Sequence, residues 1–180
     1  MAHITTSVEY AIHCLLWLVG DDDRALSSRD LADLQGVSPS FIAKIFPRLE
    51  KAGIVRASEG VRGGYRLARP AEDITFLEIV DAIEGDKPLF DCQEIRGRCA
   101  VFGARPPAWA MAGKCAVHAA MLQAEKAMRD ALAGQTLGAV AARFGRTAPG
   151  EFFDDVKAWV DIRLAGRAAG RGKPRRDMPS

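Results

Sequence analysis

Between Ser27 and Gly85 the chain carries start and stop signals so closely spaced that its elements can be counted one by one. Ser27 or Ser28 caps a short helix, Arg29 to Gln35, that turns Leu31, Ala32 and Leu34 inward. Gly36-Val37 makes a tight turn. Ser38 caps the next helix with Pro39 at its first position, where a missing N–H costs nothing. That helix runs to about Ala52 and stops at Gly53. Two short strands follow, Ile54 to Ser58 and Gly64 to Ala68, joined by the glycine-rich Glu59-Gly60-Val61-Arg62-Gly63. Pro70 ends the second strand. Thr75 and Glu78 form a capping box for a helix that buries Phe76, Ile79, Val80 and Ile83 and ends at Gly85. Ahead of this block, residues 5–19 read as a helix with an apolar stripe of Val8, Ala11, Ile12, Leu15 and Val19. Glu9 and His13 lie one turn apart on a different face of it.

Helix, turn, helix and two-stranded hairpin is the order of a winged helix-turn-helix. The fold class expected is therefore mainly α with a small β-hairpin wing. In this arrangement the second paired helix enters the major groove of duplex DNA and reads bases from its N-terminal residues. Here those are Ser38, Ser40, Phe41 and Lys44, with Arg48 one turn further on. Ser and Lys donate to base edges or phosphates, and Phe41 can meet a thymine methyl. The wing brings Arg62, Gly63, Gly64 and Tyr65 towards the DNA backbone or minor groove. Charge supports this. The formal net charge is +2, but residues 165–180 carry five basic residues against Asp177, leaving residues 1–164 at about −2. Within that acidic body, Ser38 to Arg66 holds Lys44, Arg48, Lys51, Arg56, Arg62 and Arg66 against only Glu50 and Glu59. The contrast locates a phosphate-facing surface.

Four organisational units follow. Residues 1–85 form the DNA-binding unit, and residues 86–113 an aperiodic loop with Cys92, Cys99, Pro106 and Pro107. Residues 114–164 begin with a long helix, about Lys114 to Leu132. Its Val117, Met121, Ala124, Met128 and Ala131 follow the spacing of a coiled-coil seam and suggest a homodimer. Helices at Thr136 to Arg143 and Glu151 to Leu164 complete that unit. Residues 165–180 read as a disordered basic tail that aids solubility or meets phosphates nonspecifically. No stretch reaches the roughly 18 apolar residues that a spanning helix needs. The apolar start lacks a basic flank and a cleavage site, so a cytoplasmic protein is expected, with no membrane partner. Four cysteines in a reducing compartment are core filler, catalytic or metal-binding.

Ser-Pro-Ser-Phe-Ile-Ala-Lys, Ala-Gly-Ile-Val, Arg-Gly-Gly-Tyr-Arg-Leu-Ala-Arg-Pro and Asp-Ile-Thr-Phe-Leu-Glu-Ile-Val-Asp-Ala-Ile-Glu-Gly closely resemble the IscR/NsrR/RirA type of winged-helix regulator. The resemblance spans roughly residues 2–132. It implies a dimer clasped through the long helix and, in many members, an iron–sulfur cluster that alters affinity for an operator. Cys92 and Cys99 are seven residues apart and Cys115 lies sixteen later, wider than that family's usual triplet. The pattern is more similar to the redox-sensing branch typified by RsrR. That resemblance implies a 2Fe–2S cluster held by Cys92 and Cys115 of one subunit and Glu9 and His13 of the other. The regulator so implied is expected to act as a repressor. Pro47 departs from the pattern and should kink or loosen the recognition helix.

Alternatives remain at this point. Cys99 is either a third ligand in a 4Fe–4S centre sensing nitric oxide or iron status, or a free thiol. His118, three residues after Cys115, is a further ligand candidate. A structural zinc site of Cys92, Cys99, Cys115 and His118 is also acceptable chemistry, on a constitutive DNA-binding protein. Cys14 is expected to fill the core, and Tyr10 to shield the cluster. No phosphate loop, nucleophile–base pair or carboxylate pair points to an enzyme, and no small-molecule substrate is expected.

Overall fold

The computed structural model describes residues 4–20, 24–58, 63–85 and 87–170, with side chains through residue 167. Arg62 and the rest of the wing tip lie outside the described residues, as do residues 171–180 of the expected tail. The elements run α1 (Thr6–Leu16), α2 (Ser28–Gln35), α3 (Pro39–Lys51), β1 (Val55–Ser58), β2 (Gly64–Leu67), α4 (Phe76–Glu84), α5 (Ala108–Met111), α6 (Ala116–Ala133), α7 (Leu137–Thr147) and α8 (Gly150–Gly170). Strands β1 and β2 pair antiparallel, with Val55 opposite Leu67 and Ser58 opposite Gly64. A mainly helical chain with a two-stranded wing is the fold expected.

The capping signals act as written. Ser27 and Asp30 cap α2 reciprocally, and Thr75 and Glu78 do the same for α4. Gly36 ends α2 in the left-handed conformation at φ 73°. Ser38 differs. Its hydroxyl meets that of Ser40 at 2.9 Å and does not cap α3. Helix α3 passes unbroken through Pro47. Ala43 and Pro47 both lie on its exposed face, where water can take the carbonyl that proline leaves unpaired.

One core joins the first four helices to the hairpin. Phe46, Leu15, Leu31, Ile42, Leu49, Ile54, Ile74 and Ile79, joined by Leu137 of α7, are its fully buried large side chains. Each adds about 1.5–3 kcal/mol of transfer free energy. Helix α4 ties the surrounding elements together. Glu84 accepts from the Thr5 N–H (3.0 Å) and hydroxyl (2.6 Å) at the start of α1. Arg48 of α3 donates to the Ile83 carbonyl at 2.8 Å. Arg129 of α6 forks onto Asp81 at 2.9 and 2.8 Å.

Several boundaries move. Helix α1 stops at Leu16, short of residue 19. Leu18 and Val19 continue with tighter bonds, to Leu15 (2.9 Å) and Leu16 (3.3 Å), and Trp17 donates its indole N–H to Gln35 at 2.8 Å. The aperiodic segment 86–113 is not featureless. It holds 3-10 turns at Ile95–Arg98 and Ala100–Phe102 besides α5, all too short to give a periodic signal. Helix α7 extends to Thr147. Helix α8 continues through residues 165–170, the beginning of the expected disordered tail, because Ala165 favours helix and Arg167 is anchored.

Candidate DNA-reading surface and sensor residues

Helix α3 presents its N-terminal end to solvent. Ser38, Ser40 and Lys44 are exposed, and so is Arg56 on β1. Phe41 is half-buried, its ring edge-on to Tyr10 of α1 at 5.2 Å. Tyr10 is thus engaged with the recognition helix. Arg48 is exposed in part but spends a guanidinium N–H on Ile83.

The wing root is built for backbone contact. Tyr65 exchanges hydrogen bonds with Leu26, at 2.7 and 3.1 Å, and its ring packs on Phe46 at 4.8 Å. Burial, followed by the nearby Glu50 charge, raises the Tyr65 pKa. A Cβ at Gly64 would lie 2.5 Å from the Leu26 carbonyl carbon, so only glycine fits there unshifted. Gly63 accepts from Arg167 through its carbonyl. Arg56 and Arg66 stand directly opposite each other across the hairpin. Like charges directly opposite each other weaken a strand pair unless partner groups offset them. This pairing could not be read from the sequence without the strand register.

Glu9 and His13 are both exposed on α1. They border an open hollow of about 490 Å³ that also includes Ile12, Phe76 and Val140. Cys92 and Cys115 are half-buried, Cys99 is exposed, and none forms a disulfide. The cysteine segment is folded against the start of α6. Phe90 packs its ring against His118 at 6.2 Å. Arg96 donates to the carbonyls of Met111 (3.2 Å), Ala112 (3.2 Å) and Gly113 (2.8 Å) and pairs with Glu94. The three carbonyls it grips are backbone atoms, which leave no trace in the side-chain pattern. Glu94 takes a left-handed φ of 47°, unique among the described non-glycine residues. Such conformations persist where surrounding contacts impose them, often at functional sites.

Cys14 is of another kind. It is fully buried, its thiol faces the Leu31 carbonyl at 3.9 Å, and burial pushes its pKa up to about 12. It is core filler, as expected. Among the described residues, no group of three or more His, Cys, Asp or Glu side chains comes together to hold a metal ion. One chain therefore does not assemble the Cys92/Cys99/Cys115/His118 set, nor does it bring Glu9 and His13 to the cysteines.

The fold and this surface define a winged-helix DNA-binding regulator. A family model described as Rrf2, iron-dependent transcriptional regulator, matches residues 4–143. The chain belongs to the Rrf2 family of DNA-binding transcriptional regulators. Protein aau3 of Rhizobium meliloti is 28% identical over 134 residues, 74% of this chain and 81% of that protein. The HTH-type transcriptional regulator IscR of Cereibacter sphaeroides is 34% identical over 84 residues, 45% of this chain and 54% of that protein. CymR, the global cysteine regulator of B. subtilis, has a similar structure, with TM-score 0.60 and 20% identity over 79% of this chain and 98% of that one. T. potens IscR gives TM-score 0.58 and 22% identity over 84% and 96%. At those identities the likeness is one of fold. No helix among the described residues is long and apolar enough to cross a membrane.

Proposed function

We propose that this chain is a dimeric repressor that binds an operator through α3 and the β1–β2 wing and senses redox state through a 2Fe–2S cluster. Cys92 and Cys115 of one subunit would hold the cluster together with Glu9 and His13 of the other. The observation that carries this reading is the separation of two half-sets. Glu9 and His13 face solvent from α1, the three non-core cysteines sit in a stapled segment before α6, and among the described residues of one chain the two sets do not come together as a metal-binding group. A two-fold dimer supplies the complementary half twice. The donor chemistry fits: thiolates suit one iron, and replacing thiolates by imidazole on the other raises the potential, as in Rieske centres. When bound, the cluster would supply a reversible one-electron change.

This chain's own residues carry that change towards DNA. Glu9 adjoins Tyr10, and Tyr10 packs on Phe41 at the reading end of α3. A shift of α1 within the dimer is therefore felt at the base-contacting residues. Ser38, Ser40, Lys44, Arg56 and the hairpin face around Arg66 would take bases and phosphates.

Purification without oxygen tests the reading. The protein should be coloured, with iron and acid-labile sulfide in equal amounts. A colourless protein that takes up neither on reconstitution would refute it. Replacing Cys99 by Ala should leave the cluster in place, since Cys99 stands outside the proposed ligand set. Loss of the cluster would favour a 4Fe–4S centre on Cys92, Cys99 and Cys115. Zinc without sulfide would favour the structural site.

A further inference from the structure

Helix α8 lies beyond the segment matched by the family model, yet its last turns return to the DNA-binding unit. Arg24, ahead of α2, pairs with Asp161 of α8 at 2.6 Å. Arg163 pairs with Asp33 and reaches Asp30 at 3.6 Å. Arg167 goes deepest. Its Nη1 lies 3.1 Å from Asp30 Oδ2 and donates to the Gly63 carbonyl at 3.1 Å. Its Nη2 donates to the Ala25 carbonyl at 3.3 Å.

These acceptors lie in three separate segments of the chain. Asp30 is the third residue of α2, completing its capping box with Ser27, and, at 4% exposure, the one charged side chain buried among the described residues. Ala25 precedes Leu26, which bridges to Tyr65 on β2. Gly63 is where the wing turn rejoins β2. One planar guanidinium thus joins the start of α2, the Leu26 bridge and the root of the hairpin. A fork of fixed geometry can do this; a compact ammonium cannot reach three such acceptors at once.

We propose that Arg167 is a positioning residue for DNA binding: it sets the angle of the β1–β2 hairpin against the helix-turn-helix without touching DNA itself. This rests on the reading that the hairpin face bearing Arg56 and Arg66 meets phosphates. Three arginines of this contact stand against three aspartates, Asp30, Asp33 and Asp161. The patch is neutral and does not itself attract phosphate. It also gives α8 a direct hold on the reading head.

The test uses the full-length chain and a duplex selected by the wild-type protein from a random library. Affinity is measured across a salt series, alongside thermal stability. Arg167→Ala should bind about three- to tenfold more weakly, and its log–log salt slope should fall by about one, the signature of a lost phosphate contact. Arg167→Lys should behave like Arg167→Ala, because charge without the fork does not hold the root. Arg163→Ala, which frees carboxylates of α2 and uncovers the Trp159 ring but leaves the Ala25 and Gly63 carbonyls held, should keep the wild-type slope. Wild-type affinity and slope in Arg167→Lys would overturn the proposal, since they would mark Arg167 as a simple cation near the backbone. Weaker binding with an unchanged slope and a matching loss of melting temperature would also overturn it, in favour of a purely structural role. A wild-type protein that selects no duplex at all would instead remove the DNA-binding reading on which it rests.

Discussion

At the scale of single residues, the same amino acid serves opposite purposes according to where the fold puts it. Cys14 is held in the core with its thiol pushed up to about 12, so almost no thiolate forms at neutral pH. Cys99 is exposed, and Cys92 and Cys115 are half-buried. Alkylation of the native apo-protein should therefore mark Cys99, Cys92 and Cys115 and spare Cys14 until the chain is unfolded. Peptide mass spectrometry reads this directly, and prompt native labelling of Cys14 would contradict the assigned burial. Gly64 makes a second case. A methyl group there would collide with the Leu26 backbone 2.5 Å away, and strand and bridge would have to separate. Gly64→Ala should cost about 1–3 kcal/mol in denaturant unfolding, the usual range for overpacking. Both residues were visible in the sequence, Cys14 through its place on an apolar helix. The glycine's real constraint was not, because it arises from a partner far away in the chain.

At the scale of elements, local chemistry and tertiary contact divide the credit. The caps of α2 and α4, the glycine that stops α2 and the hairpin were legible because their signals lie within a few residues of their effects. The short turns around Cys99 were not, since they depend on Arg96 gripping carbonyls of the segment 111–113. The α4 cap also carries a pH signature. Burial alone would raise the Glu78 pKa, but hydrogen bonds from the Thr75 N–H and hydroxyl and from Arg69, with the Arg69 charge, lower it overall. A carboxyl with a depressed folded pKa stabilises above its unfolded value, about 4.3, and loses that contribution as pH falls through the folded pKa. Glu78→Gln should therefore flatten the acid limb of the stability profile below about pH 4.5. An unchanged acid limb in thermal melts would refute the assignment.

At the scale of the whole molecule, α6 bears on the dimer that the proposed shared site requires. The expected seam ran through Met121 and Met128, but both are half-buried, Met128 in a hollow shared with Leu77 and Val80 of α4. The outward stripe is Val117, Ala120, Ala124, Ala127 and Ala131, all exposed, with Val117 at 62%. The spacing still alternates three and four, and the small residues allow close helix approach. The sequence pattern could not say which phase of that spacing α4 would cover. Ala124→Asp should place two carboxylates in that seam and yield a monomer by light scattering; a persistent dimer would put the contact elsewhere. The central claim, that the cluster site is shared between chains, is tested most directly by complementation. His13→Ala and Cys92→Ala chains carry different tags, are co-expressed, and the mixed dimer is isolated without oxygen. Each variant alone should hold no cluster. In the mixed dimer one of the two symmetric sites is intact, so about half the wild-type iron and sulfide should return. Recovery of none would contradict a shared site.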